Sequence, residues 1–217
     1  MIKTVILIGA PGCGKTSCGQ ALADKLGWSF IDTDQLIEKA SGLSIADIFA
    51  SAGESYFRQL ERELLENLSQ QSATGRLKNH VIGCGGGLPV AASNFELLSR
   101  LGEIVCLTAP LSKLVERLSR QGGRPLLGNR SAASSNASCS NADSDMPAHR
   151  TANKPVDTHP QGNSADNCDS EQLRTRLAEL LSLREAHYRR ARHIIDTSGL
   201  NEQEVAVQIV KLLNISA

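Results

Sequence analysis

Five short aliphatic runs punctuate the chain: Val5–Ile8, Trp28–Ile31, His80–Ile82, Ile104–Leu107 and His193–Ile195. The first is uninterrupted, as expected of a strand buried on both faces. Between the runs, apolar residues recur at helical spacing over 17–26, 35–40, 44–50, 55–68, 91–101, 111–120, 171–192 and 202–213. The 55–68 segment carries Phe57, Leu60, Leu64, Leu65 and Leu68 on one stripe, and Gly53 divides it from the helix before it. Strands alternating with helices predict an α/β fold, a five-stranded parallel sheet flanked by helices with right-handed crossovers.

One stretch breaks the pattern. From Asn129 to Asp169 the chain has no Leu, Ile, Phe, Trp or Tyr, and Ser, Asn, Ala, Asp and Pro dominate. Such a segment cannot bury a core, so 129–169 is expected to be a disordered insertion in a single domain spanning 1–217. It holds Cys139, His149, His159 and Cys168 at spacings of roughly ten residues, unlike a short-spaced zinc knuckle.

Composition narrows the function. Of 217 residues 41% are hydrophobic but only 3% aromatic, so the core must be mainly aliphatic and no platform for stacking bases is visible. Lys and Arg total 23, as do Asp and Glu, which removes the electrostatic case for nucleic acid or an anionic membrane. A small-molecule substrate and a monomer are expected. Six cysteines without a C-x-x-C pair suggest a reducing cytoplasm. No apolar run is long enough to span a bilayer, and the Val5–Ile8 run is too short for a signal peptide.

The candidate chemistry starts at Gly9-Ala10-Pro11-Gly12-Cys13-Gly14-Lys15-Thr16, which matches G-x-x-x-x-G-K-[ST] between a predicted strand and a predicted helix. The glycines let successive backbone N–H groups turn inward, and the helix adds its positive end to the same anion site. Lys15 is placed to reach the β/γ-phosphates of a nucleotide, and Thr16 to offer its hydroxyl to Mg²⁺. Asp32 and Asp34 follow the second strand, at the carboxyl end where open α/β sheets bind ligands, and residues two apart on a strand share a face. One of the two can instead cap the next helix. Gly85-Gly86-Gly87 after the third strand means either close backbone approach to a ligand or a flexible turn. Arg117, Arg120 and Arg124 form a basic cluster suited to a polyanion, or a solvated face. Arg58, beside the apolar stripe, does not stand out on pattern alone.

Taken together, Gly9–Thr16, Asp32-Thr33-Asp34, Ser44–Phe49, Gly53-Glu54 through Phe57-Arg58, Gly85–Gly87, Arg124-Pro125-Leu126-Leu127 and the Arg184/Tyr188 pair resemble the shikimate kinase family, related in fold to the nucleoside monophosphate kinases. The resemblance covers nearly all the chain outside the insertion. It implies a P-loop kinase fold with strand order 2-3-1-4-5, ATP and Mg²⁺, and transfer of the γ-phosphate to the 3-hydroxyl of shikimate on the route to chorismate and aromatic amino acids. It also implies a shikimate-binding helical segment at 34–70 and a lid at 111–128. The nucleotide is expected on Gly12, Cys13, Gly14, Lys15, Thr16, Ser17, Arg117 and Arg124, with Arg117 against adenine and Arg124 meeting the transferred phosphoryl group. Asp34 would take a substrate hydroxyl as base or orienter, and Asp32 a water on Mg²⁺. Arg58 and Arg184 would clamp the substrate carboxylate beside the Gly86 N–H, because guanidinium forks match carboxylates. Lys15, Asp34 and Arg124 are thus the implied catalytic set.

The chain departs from the family where relatives can carry an arginine after the last strand, for here the turn reads Ser198-Gly199-Leu200, and where the insertion follows the Arg-Pro-Leu-Leu segment. Another small hydroxy-acid kinase of the same architecture, such as gluconate kinase, is the nearest alternative. A GTPase-like switch fits poorly: Asp196–Gly199 comes too late for D-x-x-G, and Asn153-Lys154-Pro155-Val156 fails the last position of N-K-x-D.

Overall fold

The computed structural model describes residues 3–120 and 164–215, with backbone alone for 164–169. The expectations for Arg124, for residues 129–163 of the insertion with Cys139, His149 and His159, and for the far part of the 111–128 lid lie outside the described residues, and Cys168 is described by its backbone alone.

Five strands, β1 (Thr4–Gly9), β2 (Ser29–Asp32), β3 (His80–Gly83), β4 (Glu103–Thr108) and β5 (His193–Asp196), form one sheet in the order β2-β3-β1-β4-β5. All pairings are parallel. β1 lies at the centre, with Ile6 opposite Ile82 on one side and Ile104 on the other, and every one of its residues is buried. That double burial is why its sequence shows no polar alternation. β5 is at the edge and does alternate, with Ile195 buried and Ile194 exposed.

Among the described residues seven α-helices flank the sheet: α1 (Lys15–Leu26), α2 (Thr33–Ser41), α3 (Ile45–Ala73), α4 (Ala92–Leu101), α5 (Leu111–Arg120), α6 (Ser164–Tyr188) and α7 (Glu202–Leu213). α1 packs on α7, α3 on α4, and α5 on α6. α3 is two helices joined at Gly53, whose φ of 80° and ψ of 176° are not helical, so the division read at this glycine holds. α6 runs from Ser164 to Tyr188 where the pattern placed 171–192, and it enters the stretch read as insertion. The main core surrounds the sheet, and a small second cluster of Ile37, Ile48 and Phe57 joins α2 to α3.

Cys13, Cys18, Cys84 and Cys106 are free and buried. Burial pushes the Cys18 thiol up to about 11 and the Cys106 thiol to about 12, so both stay protonated and unreactive near neutral pH. Among the described residues no helix is long and apolar enough to cross a membrane.

Candidate active site

Every site-bearing segment leaves the carboxyl end of a strand. β1 ends at Gly9 and gives way to the loop that opens α1, where Gly12 and Gly14 adopt φ of 80° and 95°. Ordinary residues avoid that region, so the glycine spacing follows from the backbone path. α1 has no side-chain cap at its start and no acidic residue in its first turn. Its first amides therefore remain available, and the helix end is a ready anion site. The Lys15 ammonium donates to the carbonyls of Gly9 at 3.0 Å and Ala10 at 2.9 Å. Burial works against its charge, but Cys13, Tyr188 and Asp34 more than offset this and hold the lysine above its ordinary range, hence cationic.

Asp32 caps the next helix, one of the two readings left open by its position, and also meets the phosphate loop. Its Oδ1 accepts from the backbone N–H groups of Asp34 at 3.0 Å and Gln35 at 3.3 Å, capping α2, while Oδ2 accepts from the Thr16 hydroxyl at 3.0 Å. Threonine hydroxyl and carboxylate are hard oxygen donors that suit Mg²⁺, and among the described residues no cluster of three His, Cys, Asp or Glu side chains could cage a metal. This set fits an ion that keeps much of its water and is completed by nucleotide phosphates.

The glycine triplet after β3 is a place of close approach. A Cβ at Gly85 would collide with the Asp34 carboxylate, one at Gly86 would lie 3.6 Å from Arg184 Nη1, and one at Gly87 would meet Arg58 Nη1 at 2.5 Å. Asp34, Arg58 and Arg184 thus converge on one backbone segment. It is held from both sides: the Gly85 N–H donates to the buried Thr33 hydroxyl at 2.9 Å, and the Tyr188 hydroxyl donates to the Gly86 carbonyl at 2.7 Å. Tyr188 also hydrogen-bonds Arg184, and burial raises its phenol above the usual range, so the hydroxyl keeps its proton.

Arg58 donates from Nη1 to Glu61 Oε2 at 2.7 Å and from Nη2 to Glu54 Oε1 at 3.0 Å. Glu61 is only 1% exposed and its Oε1 has no hydrogen-bond partner among the described residues. Burial raises its carboxyl above the ordinary carboxylate range, opposed by the attraction of Arg58. Sequence reading missed Glu61. The signal was a glutamate three residues past Arg58 and next to Leu60 on the inward face of α3, a position that otherwise calls for an apolar residue.

Arg117 of α5 reaches across to the turn after β5. Its Nη1 donates to Thr197 Oγ1 at 2.9 Å, its Nη2 donates to the Thr197 carbonyl at 2.6 Å, and Nη1 also lies 3.5 Å from the Gly12 carbonyl. It stands beside the phosphate loop. Arg120 instead pairs with Glu116 at 2.8 Å and is 77% exposed, a solvated residue.

A family model described as shikimate kinase matches residues 11–168. The shikimate kinase of Thermodesulfovibrio yellowstonii is 33% identical over 210 residues, covering 97% of this chain and 94% of the relative. That of a Sulfurihydrogenibium species is 40% identical over 126 residues, covering 58% and 72%. Among solved structures, shikimate kinase from Acinetobacter baumannii in complex with shikimate is 28% identical with a TM-score of 0.71, covering 99% of this chain and 94% of the other. The Bacteroides thetaiotaomicron shikimate kinase is 25% identical with a TM-score of 0.73, covering 99% and 100%.

Proposed function

The chain belongs to the shikimate kinase family, and on that premise we propose that it transfers the γ-phosphoryl group of ATP to the 3-hydroxyl of shikimate, in the biosynthesis of aromatic amino acids, with the division of labour set out below. The packing of Gly85–Gly87 among Asp34, Arg58 and Arg184 carries this assignment, because it puts one carboxylate and two guanidinium groups around one backbone segment, with Gly86 beside Pro11 of the phosphate loop. That is the equipment for a hydroxy acid with its hydroxyl turned toward a nucleotide.

The backbone of Gly12–Gly14 and the start of α1, with Lys15, Thr16 and Ser17, take the phosphates. Arg117 lies against the base, and Arg124 meets the transferred group. Arg58 and Arg184 bind the shikimate carboxylate beside the Gly86 N–H. Asp34 accepts a hydrogen bond from the acceptor hydroxyl and receives its proton as the new O–P bond forms and the bond to ADP breaks. Phosphoryl transfer asks for placed oxygens and neutralised charge more than for covalent help. Lys15, held cationic, neutralises charge on the phosphates, and Mg²⁺ on Thr16 and, through water, Asp32 would add to that neutralisation. Residues 34–70 act as the acceptor-binding segment and 111–128 as the lid. The chain is taken to act as a monomer, and the reaction suits a cytoplasmic setting.

The test is ADP release by the purified protein with ATP, Mg²⁺ and a panel of hydroxy acids. Shikimate should be phosphorylated and gluconate should not. Preference for gluconate would replace the acceptor assignment, and tight ATP binding with no phosphorylated product from any acid would make the protein a nucleotide-binding switch.

A further inference from the structure

Thr197 stands at the first position after β5, where the chain leaves the sheet edge, and it is 1% exposed. Its N–H donates to the Thr108 carbonyl at 2.8 Å, closing the β4–β5 ladder. A threonine at a strand end needs nothing more to be structural. Its hydroxyl and carbonyl, however, both also reach beyond the strand end and the turn, where the carbonyl takes the Leu200 N–H at 3.5 Å, to Arg117. Oγ1 receives Arg117 Nη1 at 2.9 Å and lies 3.1 Å from both the Cys13 and Thr108 carbonyls, and the Thr197 carbonyl receives Arg117 Nη2 at 2.6 Å.

The donor inventory decides the direction of these bonds. Arginine only donates, so Oγ1 must accept from Arg117, and its single proton is left for a carbonyl. The Cys13 carbonyl in the phosphate loop and the Thr108 carbonyl lie at the same 3.1 Å, and each has a lone pair for it. One hydroxyl thus lies between a guanidinium on α5 and the loop that opens α1, and the same residue grips the second η nitrogen through its backbone. Arg117 is thereby fixed in two directions, while Nη1 also approaches the Gly12 carbonyl at 3.5 Å.

We propose that Thr197 is a positioning residue of the nucleotide site, locking the Arg117 guanidinium to the crest of the phosphate loop so that the base meets a prealigned surface. This rests on the reading in which Gly12–Ser17 take the phosphates and Arg117 lies against the base. It also supplies what the chain lacks after β5: in place of an additional arginine, the Ser198-Gly199-Leu200 turn follows a threonine that holds an arginine belonging to α5. An arginine already held loses less freedom when its ligand arrives, so the lock acts on affinity.

The experiment compares ATP with inorganic tripolyphosphate, which has the phosphates and no base, by equilibrium titration of the full chain without acceptor. A wild-type chain that binds neither ligand defeats the nucleotide reading itself. With that reading intact, T197V, which keeps the shape and removes the hydroxyl, should weaken ATP binding by about tenfold and tripolyphosphate by less than about twofold. In steady state KM for ATP should rise by the same factor while KM for shikimate holds. T197S, which restores the hydroxyl, should recover ATP binding. Native ATP affinity in T197V overturns the proposal. Equal weakening of both ligands overturns it too, since the hydroxyl would then support only the loop. R117A and T197V should be non-additive in the double variant, and full additivity also counts against the lock. Should the valine variant prove insoluble, T197C, whose thiol is a weak donor and acceptor and leaves no room for water, is read in its place, and native ATP affinity in it gives the same refutation.

Discussion

Both η nitrogens of Arg58 are engaged by glutamates, yet the two partners are unlike. Glu54 is 61% exposed, and such a pair contributes little, about 0 to 1 kcal/mol, so an incoming carboxylate can displace it. Glu61 is buried and holds Nη1 at 2.7 Å, which leaves Nη2 and the outer edge of the fork for substrate. We therefore expect Glu54→Gln to leave KM for shikimate within about twofold, whereas Glu61→Gln should weaken acid binding by about 1.5 to 3 kcal/mol, the range for hydrogen bonds to charged groups. Titration of both variants with shikimate checks this, and equal effects would mean that Glu61 does not orient the arginine. Asp34 is a sharper case because its carboxylate lies against Gly85, on the backbone segment it shares with Arg58 and Arg184. Asp34→Asn should nearly abolish transfer while ATP affinity stays within a few fold, since the group that takes the acceptor proton is lost while Asp34 is only one of several groups that favour the Lys15 charge. Near-native turnover would remove Asp34 from the mechanism.

At the level of elements, the helices and strands follow their patterns closely, and the differences lie at their ends. α1 begins at Lys15, ahead of its first apolar position, because the phosphate loop, and not burial, sets its start. α2 begins at Thr33 because Asp32 caps it. The packing of α1 on β2 yields a further expectation. A Cβ at Gly19 would run into the Phe30 ring, and the same ring lies 3.1 Å from a Cβ built at Gly83, so it cannot swing that way. Gly19→Ala adds helix propensity of about 1 kcal/mol but overpacks this contact, which typically costs about 1 to 3 kcal/mol. A net loss is expected, read as a lowered thermal midpoint, with ATP affinity little changed. A rise in the midpoint would show that Phe30 has room that the packing denies.

For the molecule as a whole, the segment between α5 and α6 can be tested by removal. Those two helices pack against each other, and deleting residues 130–160 touches no residue proposed for the site. Each doubling of a flexible loop costs about 0.6 kcal/mol, so shortening it should change stability by no more than about 1 to 2 kcal/mol, in the stabilising direction. Turnover should remain within a few fold. A folded variant slower by more than about tenfold, or 1.4 kcal/mol in transition-state stabilisation, would assign the segment to lid closure. Zinc recovered stoichiometrically with the full chain would assign it to metal binding through Cys139, His149, His159 and Cys168.

The amino-acid sequence alone determined the features whose causes are local: the phosphate loop in its strand–loop–helix setting, the parallel α/β pattern, the break at Gly53 and the polar stretch without core residues. The resemblance built on those motifs carried the strand order as well. The tertiary structure decided the rest. It showed that Asp32 both caps α2 and meets Thr16, that Gly85–Gly87 is a close approach, that Glu61 is buried against Arg58, and that Thr197 holds Arg117. Most of these contacts join residues far apart in the chain, 184 positions for Thr197 with Cys13 and 102 for Tyr188 with Gly86. Glu61 is close to Arg58 in sequence, yet its burial comes from what packs over α3. No local pattern encodes such neighbours, because they form only when parallel strands bring their carboxyl ends to one edge of the sheet.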